Sequence, residues 1–200
     1  MEDRDIRICF VGDSFVNGTG DEKALGWAGR LCAGANSKGN VITFYNLGVR
    51  RDTSTDVLRR FACECTPRLP KSADGRIVLS FGVNDTSIEN GVLRVSFEQS
   101  CSNARDILRI ASQFKVILVG PPPIVDQDQN VRICALSQAF SCEAKVLGIP
   151  YIELFSHLVA DTRYKRDIAQ NDGAHPTGRG YAKMAALISS SRAWWFTEKP

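Results

Sequence analysis

Ile6-Arg7-Ile8-Cys9-Phe10-Val11, closed by Gly12-Asp13-Ser14, is the stretch on which the fold reading turns. It is apolar at consecutive rather than alternate positions and rich in β-branched residues, which suits a strand covered on both faces, as in a parallel sheet. The same pattern recurs along the chain. Val41-Ile42-Thr43-Phe44-Tyr45, Ile77-Val78-Leu79-Ser80-Phe81 and Val116-Ile117-Leu118-Val119 predict three further strands, and Ile149-Pro150-Tyr151-Ile152 a shorter fifth.

Between these runs the apolar residues fall at helical spacing. Phe97, Cys101, Ala104, Leu108 and Ala111 form one stripe, begun by Ser96 and Gln99 at capping-box spacing. Val131, Ala135, Ala139, Cys142 and Val146 form a second, stopped by Gly148 and Pro150. Further helices are expected over 26–35, 55–65 and 177–190. Strands alternating with helices predict an α/β fold: a three-layer αβα sandwich around a parallel five-stranded sheet, in one domain spanning 1–200. At 200 residues such a chain buries roughly 70% of the surface its unfolded form exposes, enough for a core without staples.

Composition narrows the function classes. Hydrophobic residues make up 44% and charged residues 24%, which excludes disordered and low-complexity classes. The 25 cationic residues are nearly balanced by 22 acidic ones, and a net charge of +3 gives no footprint for nucleic acid. The longest uncharged run, Gly39 to Val49, falls short of the ~18 residues a membrane span needs. Met1-Glu2-Asp3-Arg4-Asp5 has no apolar run of signal length behind it, and the expected location is the cytoplasm. Seven cysteines, an odd number scattered through apolar patterns, read as reduced thiols. Cys63-Glu64-Cys65 is wrongly spaced for a zinc knuckle, and no metal or other cofactor is expected.

In an open α/β sheet ligands sit beyond the carboxyl ends of the strands, so the residues just after each strand are the ones to weigh. Ser14 follows the first strand. A serine hydroxyl needs a neighbouring base to become a nucleophile, and the chain has two histidines. His157 lies in Leu154-Phe155-Ser156-His157-Leu158, an apolar setting that suits a structural role. His175 lies in Asn171-Asp172-Gly173-Ala174-His175-Pro176, where Asp172 stands three residues before it and one turn brings carboxylate to imidazole. The same residues also read as a turn and a helix cap. Donors for an oxyanion are available from the Ser14 N–H, the Gly48 N–H and the Asn84 side-chain amide. Gly48 and Asn84-Asp85 read equally as turn residues.

Gly12-Asp13-Ser14, Gly48, Gly82-Val83-Asn84-Asp85 and Asp172-Gly173-Ala174-His175-Pro176 together resemble, in order, the four blocks of the GDSL, or SGNH, hydrolases. The resemblance spans roughly residues 6–188. It implies a flavodoxin-like sandwich with Ser14 as nucleophile, His175 as base, Asp172 as its orienter, and Ser14, Gly48 and Asn84 as the oxyanion hole. Phe15 stands where the family often has leucine, and Ser14 lacks the Gly-x-Ser-x-Gly elbow of the commoner α/β-hydrolases.

The expected activity is hydrolysis of carboxylic esters, with a small-molecule ester as partner. Sugar O-acetyl esters, thioesters or acyl transfer to an alcohol stand as alternatives on the same site, and a non-catalytic flavodoxin-like binder as a rival from another class. Phe15, Val16, Pro121, Pro122, Pro123 and Tyr164 are the expected pocket walls. Asp126, Asp128 and Asn130 imitate a calcium loop, but Val131 and Ser137 stand where it needs Gly and Glu. Arg50-Arg51, Arg59-Arg60 and Arg163-Tyr164-Lys165-Arg166 read as solvated surface. Trp194-Trp195-Phe196 points to packing against the domain or to a homo-oligomer.

Overall fold

The computed structural model describes residues 5–197; residues 1–4, which entered the expectation about location, lie outside them. In chain order the elements are β1 (Ile6–Gly12), α1 (Ser14–Asn17), α2 (Gly26–Asn36), β2 (Ile42–Gly48), α3 (Ser54–Cys65) and β3 (Asp74–Ser80). A 3-10 turn (Asn84–Thr86) and a small hairpin, β4 (Ile88–Glu89) and β5 (Val92–Leu93), follow. The rest are α4 (Phe97–Ala111), β6 (Lys115–Val119), α5 (Gln127–Val146), β7 (Tyr151–Ile152), α6 (Phe155–Val159), α7 (Thr162–Gln170) and α8 (Gly178–Ser190).

Five strands pair in parallel in the order β2-β1-β3-β6-β7, and the hairpin stands apart. Leaving the hairpin out, this is the 2-1-3-4-5 order of flavodoxin-like folds, with the topological switch between β1 and β3. Period-two alternation splits the strand residues between two cores. Ile8, Phe10, Val78, Ile117 and Val119 pack toward α2 and α8, with the Trp27 ring edge-on to Phe10 at 5.5 Å. Cys9, Val11, Ile77, Leu79 and Leu118 pack toward α3, α4 and α5. Each apolar side chain buried this way stabilises by roughly 1.5–3 kcal/mol, which is why the central strands tolerate so few polar residues.

Four local expectations are corrected. β2 is an edge strand: Val41 lies outside it, 74% exposed, and Phe44 is also exposed. On α5 the stripe Val131, Ala135, Ala139, Cys142 and Val146 does not face the core; Val131 is 72% and Val146 81% exposed. The buried face is Ile133, Leu136, Phe140 and Ala144, joined by Asn130 and Ser137. These two polar groups are tolerated because both are satisfied, Asn130 by the main chain of Ile124 and Ser137 by the Tyr151 hydroxyl at 2.6 Å. On α4 the buried face starts later, at Ser100, and Phe97 is exposed. The Ser96 cap forms, but the Gln99 side chain donates to Asn103 instead of reaching back. Finally, His157 is exposed on α6 rather than held in a core.

The C-terminal aromatic trio packs on its own domain. Trp194 is buried with the α2/α8 core, and Trp195 and Phe196 lie against it. The Arg76 guanidinium sits 5.2 Å from the Trp195 ring centre and 4.9 Å from that of Phe196, while Asp74 holds its Nη2 at 2.7 Å.

Candidate active site

β1 ends on Gly12, and the chain turns at once into the four-residue helix α1. Gly12 is required there, since a Cβ would lie 1.8 Å from the Ser80 carbonyl oxygen. Asp13 caps the turn: its Oδ1 accepts the Phe15 N–H at 2.9 Å. Ser14 therefore opens a helix beyond the carboxyl end of β1, and its own N–H has no intrahelical acceptor.

The second part of the site is the loop between α7 and α8. Asp172 holds it from within, its Oδ1 accepting the N–H groups of Ala174 at 2.9 Å and His175 at 2.7 Å. Buried Asp167 anchors the exit by accepting from Thr177 N at 2.8 Å and Thr177 Oγ1 at 2.7 Å. The Val125 N–H donates to Gly173 O at 2.8 Å and ties the loop to the segment after β6.

These supports bring together groups 161 residues apart: His175 Nε2 lies 2.7 Å from Ser14 Oγ, and His175 Nδ1 lies 2.7 Å from Asp172 Oδ2. With the ring proton on Nδ1, donated to the carboxylate, Nε2 is left to accept from the serine hydroxyl. The imidazole is held from below by Phe15, ring centres 5.1 Å apart, and its side chain is only 13% exposed. Partial burial pushes the Asp172 carboxyl up. Hydrogen bonds from the His175 ring and from the N–H groups of His175 and Ala174 outweigh it and hold the carboxyl below the usual range. A hydroxyl, an imidazole and an ionised carboxylate linked in this order can move a proton off the hydroxyl.

The family model of the GDSL-like lipase/acylhydrolases matches residues 10–183, a span that contains all of these groups. The chain belongs to that family. With it the chain takes the family's chemistry, the hydrolysis of ester bonds. No curated protein matches the chain in sequence. Solved structures share the fold. A lipase/acylhydrolase from Enterococcus faecalis is 24% identical over 92% of this chain and 93% of its own, with a TM-score of 0.77. An acetylxylan esterase from Geobacillus stearothermophilus is 16% identical over 100% of both chains, with a TM-score of 0.80. A psychrotrophic esterase from Pseudoalteromonas sp. is 17% identical over 97% of this chain and 100% of its own, with a TM-score of 0.72. Among the described residues of this family member, no helix is long and apolar enough to cross a membrane.

Other residues singled out in the sequence take different places. Asn84 follows β3, across the switch point from Ser14, and its side-chain amide donates one of its two hydrogens to the Asp52 carbonyl at 2.9 Å. The Gly48 N–H is already engaged, donating to Asn46 Oδ1 at 3.0 Å. Glycine is needed at 48 for a different reason: a Cβ would meet Asn17 N at 2.2 Å, so its absence lets α1 lie on β2. Asn46-Leu47-Gly48 is an Asx-type turn, and that signal was readable in the sequence.

Of the expected pocket walls, Phe15 packs against the histidine ring. Val16 is fully buried in the α2/α8 core, and Pro121, Pro122 and Pro123 are buried. Tyr164 is 2% exposed; it lines a cavity of about 510 Å³ between α7 and α8 whose lining includes neither Ser14 nor His175. Cys63 is exposed and Cys65 buried, so the two thiols face apart.

Asp13 is a feature the sequence did not disclose. It is 1% exposed, and its Oδ2 has no hydrogen-bond partner among the described residues. Burial pushes its carboxyl up to about 7, against the Phe15 N–H, and the charges of Asp85 and Asp52 push the same way as burial. Three carboxyl groups thus gather beneath the serine turn.

Proposed function

We propose that the chain hydrolyses short-chain carboxylic esters through an acyl-enzyme on Ser14. The observation that carries this reading is the 2.7 Å contact between Ser14 Oγ and His175 Nε2, backed by Asp172. Ser14 Oγ attacks the ester carbonyl as Nε2 takes its proton, and the carbonyl π electrons move to oxygen. The resulting oxyanion faces the Ser14 N–H and the spare Asn84 amide hydrogen. Collapse expels the alcohol, protonated by the imidazolium. Water, deprotonated by Nε2, then attacks the acyl group, and Ser14 regains its proton as the acid leaves.

A short acyl chain is part of the proposal: Val16 is taken up by the α2/α8 core, while Phe15 packs against the His175 ring beside the nucleophile, ring centres 5.1 Å apart. Deacetylation of carbohydrates is the second reading. The fold likeness to an acetylxylan esterase, complete over both chains, favours it, and the acyl group it removes is equally small.

The test is Ser14→Ala assayed on p-nitrophenyl acetate, butyrate and octanoate and on acetylated xylo-oligosaccharides, with a fluorophosphonate as covalent probe. The expected result is a labelled Ser14 peptide in the wild type, no label in the variant, and kcat/KM falling from acetate to octanoate. A Ser14→Ala protein that hydrolyses the acetate at the wild-type rate would refute the assignment. Comparing xylo-oligosaccharide with p-nitrophenyl acetate decides between the two readings.

A further inference from the structure

Arg60 lies on α3, outside the Ser14–His175–Asp172 chain, yet all three guanidinium nitrogens are engaged. Nε donates to Asp52 Oδ2 at 2.6 Å and Nη1 to Glu64 Oε2 at 2.9 Å. Nη2 donates to two main-chain carbonyls, Gly12 at 2.9 Å and Leu47 at 3.0 Å. The side chain is 17% exposed, so the surface role expected for Arg59-Arg60 fails at this residue.

The two carbonyls mark where the chain leaves the sheet. Gly12 pairs with Gly48 at the last register position of β1 and β2, and Gly12 O also accepts the Val49 N–H at 2.9 Å. One step beyond Gly12 lies the cap Asp13, and then Ser14. The Asp52 that Arg60 grips by its carboxylate is also the residue whose carbonyl holds the Asn84 amide at 2.9 Å. One planar fork therefore touches the strand end that presents Ser14 and the strand end beside it. Through Asp52 it also touches the loop that orients Asn84. Lysine, a point charge on a flexible stem, cannot hold these directions at once.

We propose that Arg60 is a positioning residue for the oxyanion side of the site, fixing the Ser14 turn and the Asn84 amide relative to each other. This rests on the acyl-enzyme reading. Charge adds to geometry. Asp13, Asp52 and Asp85 are near enough to one another that the charges of Asp52 and Asp85 both act on Asp13. Arg60 pairs with Asp52 and Glu64, so it offsets negative charge beneath a site where an oxyanion must develop.

The test compares Arg60→Gln and Arg60→Lys with the wild type on p-nitrophenyl acetate, with active sites counted by fluorophosphonate titration so that misfolded protein does not enter the rate. A misplacement on the order of 1 Å can cost about 10²-fold, so kcat per titrated site should fall about 10- to 100-fold for Arg60→Gln. KM should stay within about threefold, and Arg60→Lys should not restore the wild-type kcat. In a cycle, Asn84→Ala should cost at least about fivefold less in the Arg60→Gln background than alone.

A kcat per titrated site within twofold of wild type, a change confined to KM, full rescue by Arg60→Lys, or an equal Asn84→Ala cost in both backgrounds overturns the proposal. Should Arg60→Gln not fold, the Arg60→Lys kcat and its own cycle with Asn84→Ala are read by the same criteria. Ser14→Ala runs alongside. Wild-type hydrolysis by that variant defeats the acyl-enzyme reading itself, whereas an inert Ser14→Ala beside full-rate Arg60 variants defeats this proposal alone.

Discussion

Replacing Asp172 by Asn separates charge from scaffold in the histidine loop. Asn keeps an Oδ1 to accept the Ala174 and His175 N–H groups, so the loop should hold its shape. What changes is the atom facing the ring: the carboxylate oxygen 2.7 Å from Nδ1 becomes an NH₂. Charge centres about 4 Å apart interact by about 4 kcal/mol at an effective dielectric near 20, and by about 1 kcal/mol in water. The Asp172 side chain is 47% exposed, which places the pair between those limits. A loss of about 2 kcal/mol of support for the imidazolium slows kcat roughly 30-fold at 1.36 kcal/mol per tenfold. The amide also favours the tautomer with its proton on Nε2, which cannot accept from Ser14. Together the two effects predict a fall in kcat of about 10² to 10⁴-fold for Asp172→Asn. The assay is steady-state hydrolysis of p-nitrophenyl acetate beside a thermal melt. A kcat within threefold of wild type at unchanged Tm would refute the idea that the carboxylate supports the base.

Asn84→Ala should lower kcat by about 10²–10³-fold on the same ester, and a change in KM alone would remove Asn84 from the oxyanion hole. Asp13 predicts a pH dependence of stability. Its folded-state value, about 7 against an ordinary 3.8, means the native state holds the proton more tightly, so stability is lost as pH rises across that window. Asp13→Asn keeps the cap without the charge, and the buried amide's own cost is the same at both pH values and cancels. Its Tm relative to wild type should therefore improve more at pH 8 than at pH 4.5, by about 6–12 °C from roughly 3 kcal/mol. Equal Tm differences at the two pH values would contradict the burial of an ionising Asp13. Gly48→Ala places a methyl 2.2 Å from Asn17 N, and overpacking of that kind costs about 1–3 kcal/mol, or about 5 °C in Tm. A melt and activity unchanged from wild type would show that α1 does not rest on β2 in this way.

The strands and the turns after them were legible because burial on both faces leaves a mark that needs no tertiary knowledge. Ser14 could be named likewise, since a small polar residue just past a strand stands out against the apolar run, and Asp172 and His175 by their three-residue spacing in the loop between α7 and α8. The α5 helix was misread because hydrophobicity alone cannot tell a Val on the surface from an Asn in the core. Val131 and Val146 are exposed, whereas Asn130 is buried on its bonds to Ile124. Arg60 and Asp13 were invisible for a related reason. Their roles depend on partners such as Leu47, Asp52 and Asp85 that only folding brings near, and no local pattern separates them from solvated residues. Gly48 stands between the two readings its sequence position offers, oxyanion donor and turn residue: its N–H donates to Asn46 Oδ1 within the local turn, a partner two residues away that strand-end placement alone does not weigh.

Arg76, Asp74, Trp195 and Phe196 meet where β3 enters the sheet, whereas Ser14 and Asn84 lie where β1 and β3 leave it. Sturdiness and reactivity therefore occupy opposite poles of the molecule. Selection for a hotter habitat, or a laboratory seeking a tougher catalyst, could rework the tail and its arginine clamp without disturbing the reacting atoms. The usual compromise between durability and turnover would be relaxed at that pole.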